Sequence, residues 1–235
     1  MSLQFITGAS GAGKSTYIYR QIIARSEKEP EGRFFILVPD QFTMQTQKDL
    51  VSLHDRKGIM NIDVLSFGRL THRIFEEMGG NRLPMLDDTG KSLIIRRVAA
   101  GQRGELPVLG GRLGQTGYIH EVKSAISEFM QYGIGLQELD QLTEFSKKRG
   151  QLYYKLKDIR NLYEGFEQEL QGKYITSEEI LEELCNVVRK SRILKDCVIA
   201  LDGFTGFTPI QKKLLRELMQ KSAASGVENF TLEVR

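Results

Sequence analysis

Cysteine is nearly absent from this chain: 235 residues carry two, Cys185 and Cys197. Two thiols exclude a disulfide framework and a four-thiolate metal site, and they fit buried thiols in a reducing, cytoplasmic setting. Histidine is almost as scarce, and His54, His72 and His120 have no Cys or His partner at ligand spacing, so no structural metal is assigned. No apolar run approaches the roughly 18 residues of a membrane span. No leader pattern precedes the first strand-like segment, so no membrane partner is expected. A surplus of one charge is lacking too: 33 basic residues face 30 acidic ones, a net charge of +3, so any nucleic-acid surface must be local. What remains, with 40% hydrophobic and 27% charged residues, is an ordinary globular composition. The length allows one large domain or a core with an inserted subdomain.

Glycine, by contrast, is concentrated at the start. Phe5-Ile-Thr-Gly-Ala-Ser-Gly-Ala-Gly-Lys-Ser-Thr16 is a short apolar run followed by Gly8-x-x-x-x-Gly13-Lys14-Ser15. This is the full P-loop pattern, in which a glycine-rich turn lets backbone N–H groups wrap phosphates. The candidate nucleotide contacts are Gly8, Ala9, Ser10, Gly11, Ala12, Gly13, Lys14, Ser15 and Thr16. Lys14 would reach the terminal phosphates, and the Ser15 hydroxyl would ligate Mg²⁺. Leu3–Thr7 is strand-like and Ser15–Ala24 helical, the context the motif requires, and the helix N-terminus adds a favourable dipole.

Further strands are predicted at 34–38, 61–65, 197–201 and 229–234, giving with residues 3–7 a five-stranded parallel sheet. Phe34–Val38 is a continuous apolar run, the mark of a strand covered on both faces. Gln41, Phe42 and Thr43 follow it, and Ser66, Phe67 and Arg69 follow the third strand. Strand carboxyl ends carry ligand contacts in open α/β sheets, so these six are candidates for a second ligand. From 84 to 195 the pattern is helical throughout. Asp88–Ala99 has Leu93, Ile94 and Val98 on its apolar side and Lys91 among the polar residues. Residues 101–117 hold six glycines and read as a mobile loop. Ile119, Val122, Ile126 and Phe129, then Leu152, Leu156, Ile159, Tyr163, Phe166 and Leu170, are amphipathic stripes. Thr176 and Glu179 form a capping box that starts a helix through Arg189. Basic clusters stand at Lys147-Lys148-Arg149, Lys155-Lys157-Arg160 and Arg189-Lys190-Arg192. The sheet resumes at Cys197–Leu201 and ends in Asp202, where the second half of a P-loop site would hold Mg²⁺. The fold class is therefore α/β, a P-loop NTPase-like core (1–83 and 196–235) with an inserted all-α subdomain (84–195). After the last strand no closing helix follows, so a longer parent chain is expected.

Four segments run in one order: Gly8–Ser15, Leu37-Val-Pro-Asp-Gln-Phe-Thr43, Val64-Leu-Ser-Phe-Gly-Arg-Leu70 and Leu201-Asp-Gly-Phe-Thr-Gly-Phe-Thr-Pro-Ile-Gln211. In this order they resemble superfamily 1 helicase motifs, and most closely the N-terminal part of the AddB family of bacterial helicase–nuclease subunits. The resemblance implies ATP-dependent helicase and exonuclease work on single- and double-stranded DNA. That work belongs to DNA damage repair by homologous recombination, in a heterodimer with an AddA-type subunit. It also implies a 4Fe-4S cluster and nuclease Mg²⁺ in a C-terminal part, which two cysteines cannot build. Active helicases of the superfamily carry Glu after the strand-ending Asp; here Gly203 takes that place, with Thr205 and Gly206 at two further motif positions. No catalytic residue is therefore assigned: nucleotide would bind and hydrolyse weakly, while Gln41, Phe42, Thr43, Ser66, Phe67 and Arg69 contact single-stranded DNA. A small P-loop kinase and a non-catalytic interaction module with a vestigial loop are the alternatives.

Overall fold

A computed structural model describes residues 3–80, 83–112, 114–224 and 230–233. In chain order its first elements are β1 (Leu3–Ile6), α1 (Lys14–Lys28), β2 (Arg33–Leu37), α2 (Thr43–Leu53), β3 (Ile62–Leu65) and α3 (Phe67–Glu77). Then come β4 (Met85–Leu86), α4 (Asp88–Gly101), α5 (Thr116–Tyr132), α6 (Leu136–Phe145) and α7 (Gln151–Leu170). The last are β5 (Ile175–Thr176), α8 (Ser177–Val187), β6 (Cys197–Leu201), α9 (Pro209–Ala224) and β7 (Phe230–Glu233). The chain is mixed α/β, mostly helical around a small parallel sheet. Residues 229 and 234, included in the predicted last strand, lie outside the described residues.

Five strands form one sheet in the order β1-β7-β6-β2-β3, every neighbouring pair parallel. Phe34–Leu37 and Cys197–Leu201 are buried at every position, which is why both segments read as unbroken apolar runs. Ile18, Ile22 and Ile23 of α1 and Leu50 of α2 share one core with Phe34, Ile36, Val64 and Ala200, the alternate residues of one sheet face. β1 sits at the edge and, among the described residues, pairs with β7 alone.

Two compact units divide the chain: Met1–Gly80 with Leu181–Phe207 and Gln211–Arg235, and Asn81–Ile180 with Thr208–Ile210. The sequence pattern placed these divisions at 83/84 and 195/196. The later half of α8, from Leu181, groups with the sheet-containing unit.

The helical unit is not all-α. Met85 and Leu86 pair in parallel with Ile175 and Thr176, a two-residue ladder too short to leave an alternating pattern in sequence. Its core gathers Ile95 and Val98 of α4, Ile119, Val122 and Ile126 of α5, Leu139 of α6 and Ile159, Leu162 and Phe166 of α7. The glycine-rich stretch joins that core rather than standing apart as a loose loop. Leu106 and Leu109 are buried, and fully buried Asp158 accepts the backbone N–H groups of Val108 and Leu109 at 2.9 and 2.8 Å. On α4 the expected faces are partly exchanged. Leu93 is exposed, whereas Lys91 is only 2% exposed. The Lys91 ammonium donates to Glu178 at 2.7 Å and to Ser177 and Ser127 at 3.3 and 3.4 Å. The capping box closes as predicted: Thr176 N–H donates to Glu179 and Glu179 N–H to Thr176 Oγ1, at 2.8 and 3.2 Å. α8 ends at Val187, and residues 188–190 tighten into a 3₁₀ turn.

Candidate functional site

The glycine-rich loop leaves the carboxyl end of β1 and enters α1. Gly11 and Gly13 take φ of 78° and 82°, left-handed values that glycine adopts without strain, so the loop can turn back over the helix N-terminus. Gly8, Ser10, Gly11, Gly13, Lys14, Ser15 and Thr16 line a cavity of about 450 Å³. Ala9 and Ala12 hold the turn itself, through a 3.2 Å bond from Ala12 N–H to Ala9 C=O. Lys14, the first residue of α1, is buried and curls back so that its ammonium donates to the Gly8 and Ala9 carbonyls, both at 3.0 Å.

Asp202 follows β6, two strands away from β1, and its backbone N–H donates to Leu37 C=O at 3.0 Å. Asp202 is 4% exposed, and its carboxylate accepts from Ser15 Oγ at 3.0 Å, across 187 residues of sequence. The second carboxylate oxygen accepts from the Tyr19 hydroxyl, which also meets Thr46 Oγ1 at 3.3 Å. Burial, then the bond to Asp202, pushes the Tyr19 phenol well above its usual range, so it stays protonated as a donor. Tyr19 was missed from sequence, although it stands one helical turn after Ser15 on the same face. Ser15 and Asp202 present a hydroxyl and a carboxylate, the hard oxygen donors that Mg²⁺ takes while keeping several waters. The cysteines offer no comparable fit to an iron–sulfur cluster: both are buried, and their thiols donate to Leu181 and Leu194 carbonyls. Among the described residues no group of three or more His, Cys, Asp or Glu stands ready to hold a metal.

Gly203 follows Asp202 with φ of 78°. A Cβ there would meet Phe42 Cδ2 at 3.5 Å and Pro39 Cδ at 3.6 Å, so Phe42 closes the approach from β2. The six expected DNA contacts divide by burial. Gln41, Phe42 and Arg69 are exposed. Thr43 is buried and donates to Asp40 C=O, and Ser66 is buried as the N-cap of α3, accepting from Arg69 N–H. Phe67 is 5% exposed, its ring centroid 5.4 Å from that of Phe204 and 6.4 Å from that of Phe207. An aromatic cluster has claimed the ring that was expected to stack on bases.

Several basic residues are likewise engaged. Arg160 is paired with Asp140 and Glu164, Arg189 with Glu217, and Lys147 with Glu144. No helix among the described residues is long and apolar enough to cross a membrane.

The geometry defines a class: parallel α/β proteins whose glycine-rich loop is closed by a carboxylate from another strand. Within it, residues 5–232 match the family described as "ADDB, N-terminal", and the chain belongs to that family. An ATP-dependent helicase/deoxyribonuclease subunit of Lachnoclostridium phytofermentans is 53% identical over 222 residues, 94% of this chain and 19% of that protein. Subunits described in the same words from Alkaliphilus metalliredigens and Desulforudis audaxviator are 33% and 34% identical, over 100% and 97% of the chain. The chain spans about a fifth of the length of these relatives, 20% in both latter cases.

Proposed function

We propose that this chain is the nucleotide-binding, helicase-like module of an ATP-dependent helicase–deoxyribonuclease subunit that handles single-stranded DNA in double-strand-break repair. The supporting observation is the Ser15–Asp202 bond beside a buried Lys14 that bends over its own loop. In this reading the core is P-loop NTPase-like and the helical unit is its inserted subdomain. The Gly8–Thr16 backbone cradles ATP phosphates, and Lys14 exchanges the Gly8 and Ala9 carbonyls for phosphate oxygens. Ser15 and Asp202 hold Mg²⁺, which when bound neutralises phosphate charge. Tyr19 fixes the Asp202 carboxylate by donating to its far oxygen. Gly203 supplies no side chain to orient water, so binding outruns hydrolysis. Gln41, Phe42 and Arg69 are the exposed candidates for DNA contact. The AddA-type partner, the cytoplasmic setting, the nuclease Mg²⁺ and the 4Fe-4S cluster belong to the same reading, the last two in sequence this chain does not contain.

The test is titration with Mg²⁺ and a fluorescent ATP analogue, with and without a single-stranded oligonucleotide. Lys14→Ala and Asp202→Ala are expected to weaken nucleotide binding at least tenfold. Equal affinities in all three proteins would leave the loop a structural turn only.

A further inference from the structure

We propose that the tip of the α6–α7 hairpin is a stacking platform for single-stranded nucleic acid. This deepens the reading that the chain handles single-stranded DNA, and it uses residues remote in sequence from the nucleotide loop. α6 and α7 are joined by five residues, Ser146–Gly150, with Gly150 at φ 51°, a value that favours glycine. At that tip Phe145 is 80% exposed, the most exposed aromatic side chain among the described residues. The Arg149 guanidinium lies over its ring, 6.0 Å from the centroid. On the first turn of α7 the Tyr153 and Tyr154 rings meet edge to face at 5.2 Å, and Tyr154 is half exposed.

Charge around these rings is one-sided. Residues 144–157 hold Lys147, Lys148, Arg149, Lys155 and Lys157 against a single acid, Glu144. Lys147 is paired with Glu144. Among the described residues no ion pair joins Lys148, Arg149, Lys155 or Lys157 to a carboxylate. Asp158, next in sequence, is fully buried and accepts backbone N–H groups with one oxygen, so it is not on the surface a strand would meet. Unpaired cations beside exposed rings fit a polyanion that also offers flat apolar faces. Protein interfaces are depleted of lysine at their cores, which this tip is not. A duplex keeps its base faces stacked inside, whereas a single strand presents both phosphates and faces.

The chain has no tryptophan, so Phe145→Trp installs a single reporter at the tip. Met60→Trp, at a 99% exposed position in the sheet-containing unit, is the control. Titration with oligothymidylate is expected to quench the first saturably and leave the second unchanged. With a labelled strand, Phe145→Ala is expected to weaken binding about fivefold or more, the low end of stacking on one base. Lys148→Ala with Arg149→Ala is expected to flatten the salt dependence by about 1.4, two phosphate contacts' worth. All the altered residues are exposed, so the variants should fold. If the strand binds but neither quenching nor affinity follows the tip residues, the platform is overturned and the single-strand reading survives. A tip that docks protein gives that same result. If no variant and not the wild type binds the strand, both readings fall together.

Discussion

Replacing Gly203 separates backbone strain from chemistry. The residue holds φ of 78°, while its missing Cβ would stand 3.5 Å from Phe42 and 3.6 Å from Pro39, ordinary contact distances. For alanine, steric overlap therefore contributes little to the cost and the left-handed backbone nearly all of it. That conformation costs an L-residue about 1–2 kcal/mol, with asparagine less penalised. For a chain of this size each kcal/mol lowers Tm by roughly 2–4 °C, so Gly203→Ala should melt about 2–8 °C below wild type and Gly203→Glu at least as far below. Gly203→Asn should fall between. The glutamate should gain no useful turnover, because keeping the native backbone costs stability and relaxing it moves Asp202, its sequence neighbour. Thermal unfolding followed by circular dichroism reads the first expectation, and steady-state phosphate release with and without single-stranded DNA reads the second. A Gly203→Ala protein as stable as wild type would refute the backbone argument. A Gly203→Glu rate of about 1–10³ per second would refute the view that this site is silent for want of more than one group.

Other perturbations follow from buried polar groups. Lys91→Met strands the Glu178 carboxylate, which is expected to cost about 3–5 kcal/mol in urea unfolding, while Lys91→Met with Glu178→Leu should recover most of it. Asp158→Ala leaves the Val108 and Leu109 N–H groups without their acceptor; at about 1–3 kcal/mol for a buried donor left unsatisfied, the helical unit should unfold at lower urea. Lys123 donates to Asp88 at 2.7 Å and holds that carboxyl below its ordinary 3.8. Stability from this pair is full above that value and is lost as pH falls through the lower, folded one, so Lys123→Met should flatten the acid limb of a stability–pH curve. Tyr19→Phe keeps the ring in the core but frees one Asp202 oxygen. Its signature should be weaker Mg²⁺-dependent nucleotide binding with Mg²⁺-free binding unchanged.

The parts legible in sequence were those whose cause is local. β2 and β6 declare themselves because burial on both faces demands unbroken apolar runs, and the Thr176 capping box closes within three residues. What escaped depends on partners distant in the chain. Lys91 looks like a surface residue until α8 brings Glu178 to it. Phe67 looks like a stacking ring until Phe204 and Phe207 cover it, and Ser66, read as a ligand contact, is consumed in capping α3. Met85–Leu86 carries too few residues for any period to show. At the site, the loop and Asp202 were readable as motifs, whereas the Tyr19 hydrogen bond needed the sheet order that brings β6 toward α1.

That sheet order also sets a timetable for synthesis. Of the five strands in this sheet Leu3–Ile6 is made first, and among the described residues its one neighbour is Phe230–Glu233, made more than two hundred residues later. At about 5–20 residues per second, β1 waits roughly 10–45 s for that partner. Over that interval β2, β3 and the helical unit can assemble from nearer contacts, with β6 joining β2 when it appears, while the loop that opens the chain lacks its frame. The earliest motif in the sequence is thus among the last to be fixed in space, and a pause or truncation just before Phe230 would release a chain with most of its hydrophobic core but without a seated loop.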